Sequence, residues 1–339
     1  MKIIFALVIL FVLTFYFLQG IELSLENNIL TISGSFELEK FPAQKINGIE
    51  YLKFDTSDFG KTGNNGEAEL PVFSKLVNLP NTGNYVLKDL EYDFEELDLD
   101  KKIIPFGWED NTPINSEFYY KDEWFPKEII KISKPSIMRG VRFSQISLAA
   151  AQYNPALNKI RILKNIKVDL ELDPSKNENS VANDRNSNIK PFSNILIEKS
   201  GRTETPSYYN GNYLLIAPDN CVSYLQPLLR HKEKLGYKTR LATLTETGSS
   251  NTSIKNFIQN AYDNWDYPPE NVILIGDVDG TIVLPSYFVE GYWTPWDVTD
   301  HPYTLLEGDD YFPDIMLGRI PVRSLTQLAT VVNKIIKYE

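Results

Sequence analysis

The chain has 339 residues, of which 42% are hydrophobic and 23% are charged; this ordinary globular composition indicates about two domains and excludes a disordered or collagen-like chain. Its formal net charge is −11, so phosphate backbones repel it and nucleic acid is excluded as a partner class. One cysteine, Cys221, and two histidines, His231 and His301, exclude an internal disulfide and a clustered Cys/His zinc site.

A cationic and apolar segment opens the chain. Lys2 precedes an apolar run that reaches Leu18, with one interruption at Thr14, and Gly20 is the first small residue after it. This pattern predicts a secretory signal peptide over residues 1–20 that is cleaved near Gly20. An uncleaved anchor is the alternative, but the run falls short of the ~20 residues that span a bilayer. We therefore expect a secreted, extracellular or surface protein without stable membrane insertion.

Residues 21–174 predict a β-rich domain. Short stretches alternate apolar and polar side chains between Asn, Gly and Pro turns, most clearly at residues 168–172. This alternation is typical of antiparallel strands with one buried face, so we expect a β-sandwich or barrel. A short helix is expected around residues 146–152.

Residues 175–211 form a polar stretch rich in Asn, Ser, Lys and Asp. Too little apolar surface is present there to offset the entropy of ordering, which predicts a mobile linker that proteases reach first. Lys199 and Arg202 near its end are candidate cleavage sites. An inert spacer is the alternative.

From residue 212 to residue 339 the periodicity changes to strand, helix, strand, helix, strand. Apolar strands are expected at 213–217, 239–244 and 271–275, with helices at 224–234 and 253–262, the second capped by Thr252 or Ser253. This order predicts a doubly wound α/β domain with a parallel sheet. The helical pattern from Leu325 onward runs to Glu339 without a closing element, so we expect the sequence to end inside this domain.

The cysteine and the histidines offer no convincing catalytic pair. Cys221 and His231 flank one predicted helix, about 15 Å apart along its axis, whereas a dyad needs hydrogen-bond reach. His301 follows Asp300, which is a candidate orienting group, but no Ser or Cys nucleophile motif accompanies them.

Several acidic residues suggest a cation site. Asp277 follows an apolar strand and is expected at the carboxyl end of the sheet, where open α/β folds bind ligands. Asp310, Phe312 and Asp314 alternate at a spacing that would direct two carboxylates and a backbone carbonyl toward one point, and such oxygen donors suit Ca²⁺. The alternative is a solvated acidic loop held by Gly308.

Short motifs are distributed through both domains. In the second domain they are Ile273–Asp277, Thr299–Tyr303, Glu307–Asp314, Ile315–Arg319, Lys334 and Tyr338–Glu339; in the first they are Gly66–Val72, Asn78–Pro80, Arg139–Arg142 and Gln152–Pro155. In their order and spacing these motifs resemble the gingipain family of cysteine endopeptidases. The resemblance implies a secreted zymogen with a β-rich propeptide that packs on its own catalytic domain. It also implies that the catalytic domain has a caspase-like α/β fold and acts on protein or peptide substrates.

The family also sets expectations for individual residues. Its His and Cys dyad lies downstream of the Gly-Arg and Tyr-Glu motifs, so no residue here takes a catalytic role. A structural calcium is bound by positions matching Asp277, Asp310 and Asp314, with main-chain oxygens matching Glu307 and Phe312. Asp314 replaces a longer acidic side chain that is usual there.

Two classes of function follow. The first is the N-terminal portion of a gingipain-like cysteine peptidase zymogen, inactive by itself. The second is a non-enzymatic exported binding or scaffold protein with a peptidase-like fold. The sequence encoded after Glu339 distinguishes them, because only the peptidase requires a His-Gly and a Cys motif there.

Overall fold

The computed structural model describes residues 21–26, 28–38, 43–54, 60–110, 112–181, 196–197, 211–291 and 296–339. The predicted signal peptide, Lys199 and Arg202 lie outside these residues. The chain forms two compact units. The β-rich unit comprises the residues up to Val77, Gly83–Lys134 and Ser144–Glu178, and the α/β unit comprises Asn78–Thr82, Pro135–Phe143 and Asn179–Glu339. No helix among the described residues is long and apolar enough to cross a membrane.

Strands dominate the first half of the chain. They are β1 (Ile21–Glu26), β2 (Ile29–Gly34), β3 (Ala43–Ile46), β4 (Ile49–Leu52), β5 (Gly60–Thr62), β6 (Leu70–Asn78), β7 (Asn84–Asp98), β8 (Ile130–Ile132), β9 (Ser136–Met138), β10 (Val141–Ala149), β11 (Ala151–Asn154) and β12 (Lys159–Asp173). Single turns of 3₁₀ helix cover Trp108–Asp110 and Phe118–Tyr120.

Two main sheets build the β-rich unit. In the first, β12 pairs on one side with β2 and β11 and along its whole length with β7, and β1 pairs with β2, all antiparallel. In the second, β10 lies between β6 and β8, and β5 pairs with β6. Leu70 of the second sheet and Tyr153 and Ile160 of the first share one buried cluster. The predicted β-sandwich or barrel-like character is therefore confirmed.

The helix expected around residues 146–152 is wrong. This stretch forms the end of β10 and the first half of β11. Ile146 and Leu148 are both buried while Gln145 is exposed, which is the period of a strand. The run Ala149–Ala151 favours helix locally, but pairing with β8 and β12 satisfies the backbone and overrides that propensity.

The first part of the predicted linker makes ordered contacts, through Asn179 and Val181, with other residues of the α/β unit. Val181 is buried, and its amide donates to the carbonyl of Asn81 at 3.0 Å. The Asn179 side-chain amide donates to the carbonyl of Pro135 at 2.8 Å, and both residues belong to the α/β unit. Of the rest of the linker, the structure describes only Gly211 and the two-residue strand β13 (Leu196–Ile197).

The remaining elements all belong to the α/β unit. They are β14 (Asn212–Ala217), α1 (Val222–Lys234), β15 (Lys238–Thr243), α2 (Leu244–Thr247), α3 (Asn251–Asn264), β16 (Asn271–Ile275), β17 (Tyr287–Val289), β18 (Asp297–Thr299), β19 (Met316–Ile320) and α4 (Leu325–Tyr338), with 3₁₀ turns at Asp219–Cys221 and His301–Thr304. Strands β15, β14, β16 and β19 form a parallel sheet in that order. The predicted α/β architecture is confirmed.

Alternation along β14 explains how helices cover both faces of this sheet. Leu214 and Ile216 join a buried cluster with Ile254 and Ile258 of α3. Leu215, Ala217 and their neighbours join another with residues of α1 and α4, including Leu225 and Leu328. A central strand buried on both faces is apolar along most of its length, as β14 is from Tyr213 to Ala217.

The caps fix where two helices begin. Helix α3 is capped by Ser250, whose hydroxyl accepts from the amide of Ser253 while the Ser253 hydroxyl accepts from the amide of Ser250. This reciprocal arrangement satisfies two amides and replaces the predicted cap at Thr252 or Ser253. Ser324 caps α4 through the amide of Gln327.

Candidate functional site

The carboxyl end of β16 places Asp277 as the sequence predicts. Gly276 has φ +122°, and a Cβ there would lie 2.8 Å from the carbonyl oxygen of Ile282, so only glycine fits this turn. The Asp277 carboxylate accepts from Arg323 Nε at 2.7 Å and from the amide of Val278 at 2.8 Å. Arg323 holds the pKa of Asp277 below its usual range, with help from the Val278 amide. The carboxylate is therefore fixed and ion-paired.

Behind this turn, the Arg319 guanidinium ties together the loops around the sheet. It binds both carboxylate oxygens of Asp300 at 2.7 Å and donates to the carbonyls of Gly276 at 2.9 Å and Leu284 at 2.8 Å. Burial alone would raise the pKa of Asp300, but the hydrogen bonds from Arg319 and Ser286 hold it below the usual range. Asp300 is thus committed to Arg319.

A different set of carboxylates lies at the amino end of the sheet, in the stretch before β19. Asp314 is 3% exposed, and one of its oxygens accepts from the amides of Leu306 and Glu307, each at 2.8 Å. Burial raises the pKa of Asp314 to about 7, although those two amides lower it. Its other oxygen accepts from the amide of Arg139 at 3.3 Å.

Asp310 binds the backbone of strand β9, which precedes Arg139. One of its oxygens accepts from the amide of Ile137 and the other from the amide of Phe312, both at 2.8 Å. The Phe312 ring packs edge-on against Phe143 with ring centroids 4.9 Å apart. Asp310, Phe312 and Asp314 therefore hold a strand contributed by residues 135–143.

Strand β9 and the start of β10 form a β-hairpin. Val141 is paired with Met138 across a two-residue turn, Arg139-Gly140, in which both residues have positive φ. Such a turn matches the twist of the strands it joins. Arg139 is 5% exposed, and its Nη2 lies 3.7 Å from Glu270 Oε2. Burial lowers the pKa of Arg139 and raises that of Glu270, while each charge opposes the other's shift.

The five predicted calcium ligands are not brought together. Asp277 follows β16 at the carboxyl end of the sheet, whereas Asp310 and Asp314 precede β19 at the amino end. A five-residue strand separates these ends by roughly 16 Å. The Glu307 carboxylate accepts from the hydroxyl of Tyr262 at 3.0 Å. Among the described residues, no group of three or more His, Cys, Asp or Glu is placed to hold a metal ion.

Both halves of the chain match protein families that are already known. The model of Peptidase family C25 matches residues 207–339, and that of the C25 propeptide matches residues 45–196. Gingipain R2 of Porphyromonas gingivalis is 23% identical over 328 residues, covering 87% of this chain and 44% of that protein. Lys-gingipain HG66 of the same species is 24% identical over 347 residues, covering 92% of this chain and 19% of that protein. This chain belongs to the gingipain-type cysteine peptidase family.

The chain spans less than half the length of the gingipains it matches. Two solved structures are also similar to this chain, and the first of them is from Porphyromonas gingivalis. The complex of RgpB pro- and mature domains has a TM-score of 0.43 and 21% identity, covering 52% of this chain and 96% of that one. The Arg-specific proteinase gingipain R has a TM-score of 0.35 and 20% identity, covering 40% of this chain and 30% of that one.

In this gingipain-type chain, Cys221 and the histidines have separate surroundings. Cys221 is buried in the cluster under α1, its Sγ donates to Asn220 Oδ1 at 3.5 Å, and burial raises the pKa of its thiol. His231 Nε2 lies 3.4 Å from Glu339. His301 Nε2 lies 3.0 Å from the carbonyl oxygen of Tyr311 rather than against the carboxylate of Asp300. A raised thiol pKa disfavours the nucleophilic thiolate.

Sequence reasoning missed the contacts of Arg139 with Glu270 and with Asp314. These partners are more than 100 residues apart in the gingipain-type sequence, so no local periodicity connects them. The available signal was the Arg139-Gly140 pair between two short apolar stretches, which is compatible with a tight hairpin turn. That signal predicts the turn but not what the turn contacts.

Proposed function

We propose that this chain is the propeptide and the leading part of the catalytic domain of a secreted, gingipain-like cysteine endopeptidase zymogen that acts on protein or peptide substrates. The observation that carries the proposal is the order of the two family matches, with the propeptide at residues 45–196 followed by the peptidase at 207–339. The interval between them contains the proposed processing sites, Lys199 and Arg202. The apolar segment at residues 1–20 is the proposed signal for export.

Contacts inside the α/β unit support packing of the propeptide on the peptidase. Residues 78–82 and 135–143 fall within the propeptide match, yet they cluster with residues 179–339. The 135–143 segment is held through the Asp310 and Asp314 carboxylates and through the Arg139–Glu270 ion pair. Cleavage at Lys199 or Arg202 would leave all of these contacts in place. We therefore propose that the propeptide stays bound after it is cut.

The 339-residue chain is expected to hydrolyse no peptide bond, whereas the product of the gene read beyond Glu339 is expected to be a peptidase. Thioester chemistry needs a cysteine and a histidine in contact, and Cys221 is buried away from His231 and His301. The measurement is hydrolysis of fluorogenic peptides with Arg or Lys before the scissile bond.

Two controls define this experiment. Cys221→Ser is expected to leave the activity of the longer gene product unchanged, and replacement of a downstream cysteine is expected to abolish it. Hydrolysis by the 339-residue chain that disappears with Cys221→Ser would contradict the proposal. A stop codon directly after Glu339 would also contradict it.

We further propose that calcium binds at the stretch 307–314. Each carboxylate oxygen of Asp310 and Asp314 accepts from a backbone amide, so calcium would use the remaining lone pairs of these oxygens. The main-chain oxygens at Glu307 and Phe312 would complete a set of donors of the kind that calcium prefers. Asp310→Ala is expected to weaken calcium binding to the full chain by at least about tenfold, since a direct carboxylate ligand is lost. Isothermal titration calorimetry measures the binding.

Asp277 provides the matched control for calcium. It is the family-derived ligand that lies at the opposite end of the sheet, so Asp277→Ala is expected to leave calcium binding unchanged. Absence of any binding heat in the unmodified chain would remove calcium from the proposal. Equal loss in both variants would place the metal elsewhere.

A further inference from the structure

Strand β7 is a long strand with one open edge. Among the described residues it pairs only with β12, in an antiparallel ladder from Asn84–Asp173 to Asp98–Lys159. A strand directs its backbone groups alternately to its two edges, so every second amide and carbonyl along residues 87–98 points away from β12. An exposed row of such groups is a template for another strand.

Among the described residues, little covers this part of β7, although the Arg161 guanidinium lies 4.4 Å from the centroid of the Phe94 ring. None of residues 87–98 is buried, and the side chains of Tyr92 and Phe94 are 38% and 47% exposed. The strand carries six acidic residues and one basic residue, Lys88. Because side chains alternate between faces, four of the acids fall on one face. These four are Asp89, Glu91, Asp93 and Glu95.

The partners of these acids differ along the strand. Toward its carboxyl end, Glu96 is bound by Lys159 and Arg161, both at 3.0 Å, and Glu95 lies 3.8 Å from Lys164. Toward the middle, Asp93 accepts from the side-chain amide of Asn165, and Asp89 accepts from the amide of Leu90. Lys167 lies opposite Glu91 in the ladder but is paired with Asp169 at 3.5 Å. Negative charge therefore remains at 89–93.

We propose that the open edge of β7 binds an extended, lysine- or arginine-rich segment of another protein, which adds to the sheet as a neighbouring strand. Backbone hydrogen bonds to the open edge supply the pairing, and the acidic face at 89–93 selects the basic side chains. A second copy of this chain is a poor occupant, because its own β7 carries the same negative charge. This site is independent of the peptidase function proposed above.

The test uses the full chain and a synthetic octapeptide of alternating lysine and valine labelled with a fluorophore. Fluorescence anisotropy measures its affinity, and hydrogen exchange of residues 84–98 reports pairing at the edge. The expected result is saturable binding with slower exchange in β7. A peptide of the same sequence with N-methylated backbone keeps the charge but loses the donors, and it is expected to bind at least about tenfold more weakly.

Charge variants test the selecting face. Asp89→Lys/Glu91→Lys/Asp93→Lys is expected to weaken binding at least about tenfold, because three favourable pairs become repulsive. The matched control, Glu117→Lys/Glu123→Lys/Glu128→Lys, changes three exposed acids outside β7 by the same charge and is expected to retain affinity within about twofold. Equal affinity for both lysine peptides, equal loss in both variants, or unchanged exchange in β7 would overturn the proposal. No binding at all would also overturn it and leave the acids as protection against edge-to-edge aggregation.

Discussion

Arg319→Met is expected to destabilise the α/β unit by about 3–5 kcal/mol, because the substitution leaves the carboxylate of Asp300 without its countercharge in a partly buried position. It also removes the donors to the carbonyls of Gly276, Leu284 and Pro285. Methionine keeps much of the side-chain volume of arginine. The stability is therefore lost mainly because the ion pair and the hydrogen bonds are removed. The change in the free energy of unfolding is measured by urea titration, in which hydrogen exchange of the amides of β16 and β19 monitors the α/β unit.

The matched control is Arg240→Met. Arg240 also forms an ion pair, with Glu246, but its side chain is about half exposed. Exposed pairs contribute little, so the free energy of unfolding is expected to fall by about 1 kcal/mol or less. Equal effects of the two substitutions would show that the Arg319 network does not stabilise the loops around the sheet.

A double-mutant cycle on Arg139 and Glu270 is expected to show strong coupling. Arg139→Met or Glu270→Leu alone removes one partner of a buried ion pair and is expected to lower the free energy of unfolding by about 3–5 kcal/mol. The double variant replaces both charges by apolar side chains and is expected to be more stable than either single variant. Methionine takes the place of another non-glycine residue at φ 54°, so backbone strain at the turn changes little.

The same urea titrations on the full chain measure the free energy of unfolding of the unmodified chain, the two single variants and the double variant. Arg142→Met serves as a comparison, because Arg142 is also buried and donates to the carbonyls of Asn179 and Pro80. It is expected to destabilise without being rescued by Glu270→Leu. Additive effects of Arg139→Met and Glu270→Leu would contradict a direct ion pair between them.

Much of the α/β fold was predictable from the sequence because its signals are local. The uninterrupted apolar run of β14 indicates a strand buried on both faces, and the spacing of Ile254 and Ile258 indicates one face of a helix. The cap of α3 was predicted two to three residues late, because Thr252, Ser253 and Ser250 are all good capping residues. Only the reciprocal bonds between Ser250 and Ser253 distinguish them.

The candidate site was predicted less well because it depends on topology. Asp277 and Asp314 both flank strands of one sheet, but one follows its strand and the other precedes its strand. Spacing along the chain does not show which end of the sheet a residue occupies until the crossover between β16 and β19 is known. The contact of Arg139 with Glu270 depends on tertiary packing alone.

The β9–β10 hairpin is bound by residues that are synthesised much later, and this determines which unit of the chain can fold first. The amides of Ile137 and Arg139 are made on the ribosome long before their acceptors, Asp310 and Asp314, which follow 173 and 175 residues later. Until those acids have been translated, water must satisfy the two amides, and Arg139 has no buried position to enter. Cotranslational folding of the β-rich unit can therefore proceed early, whereas the α/β unit closes around the hairpin only when nearly the whole chain has emerged.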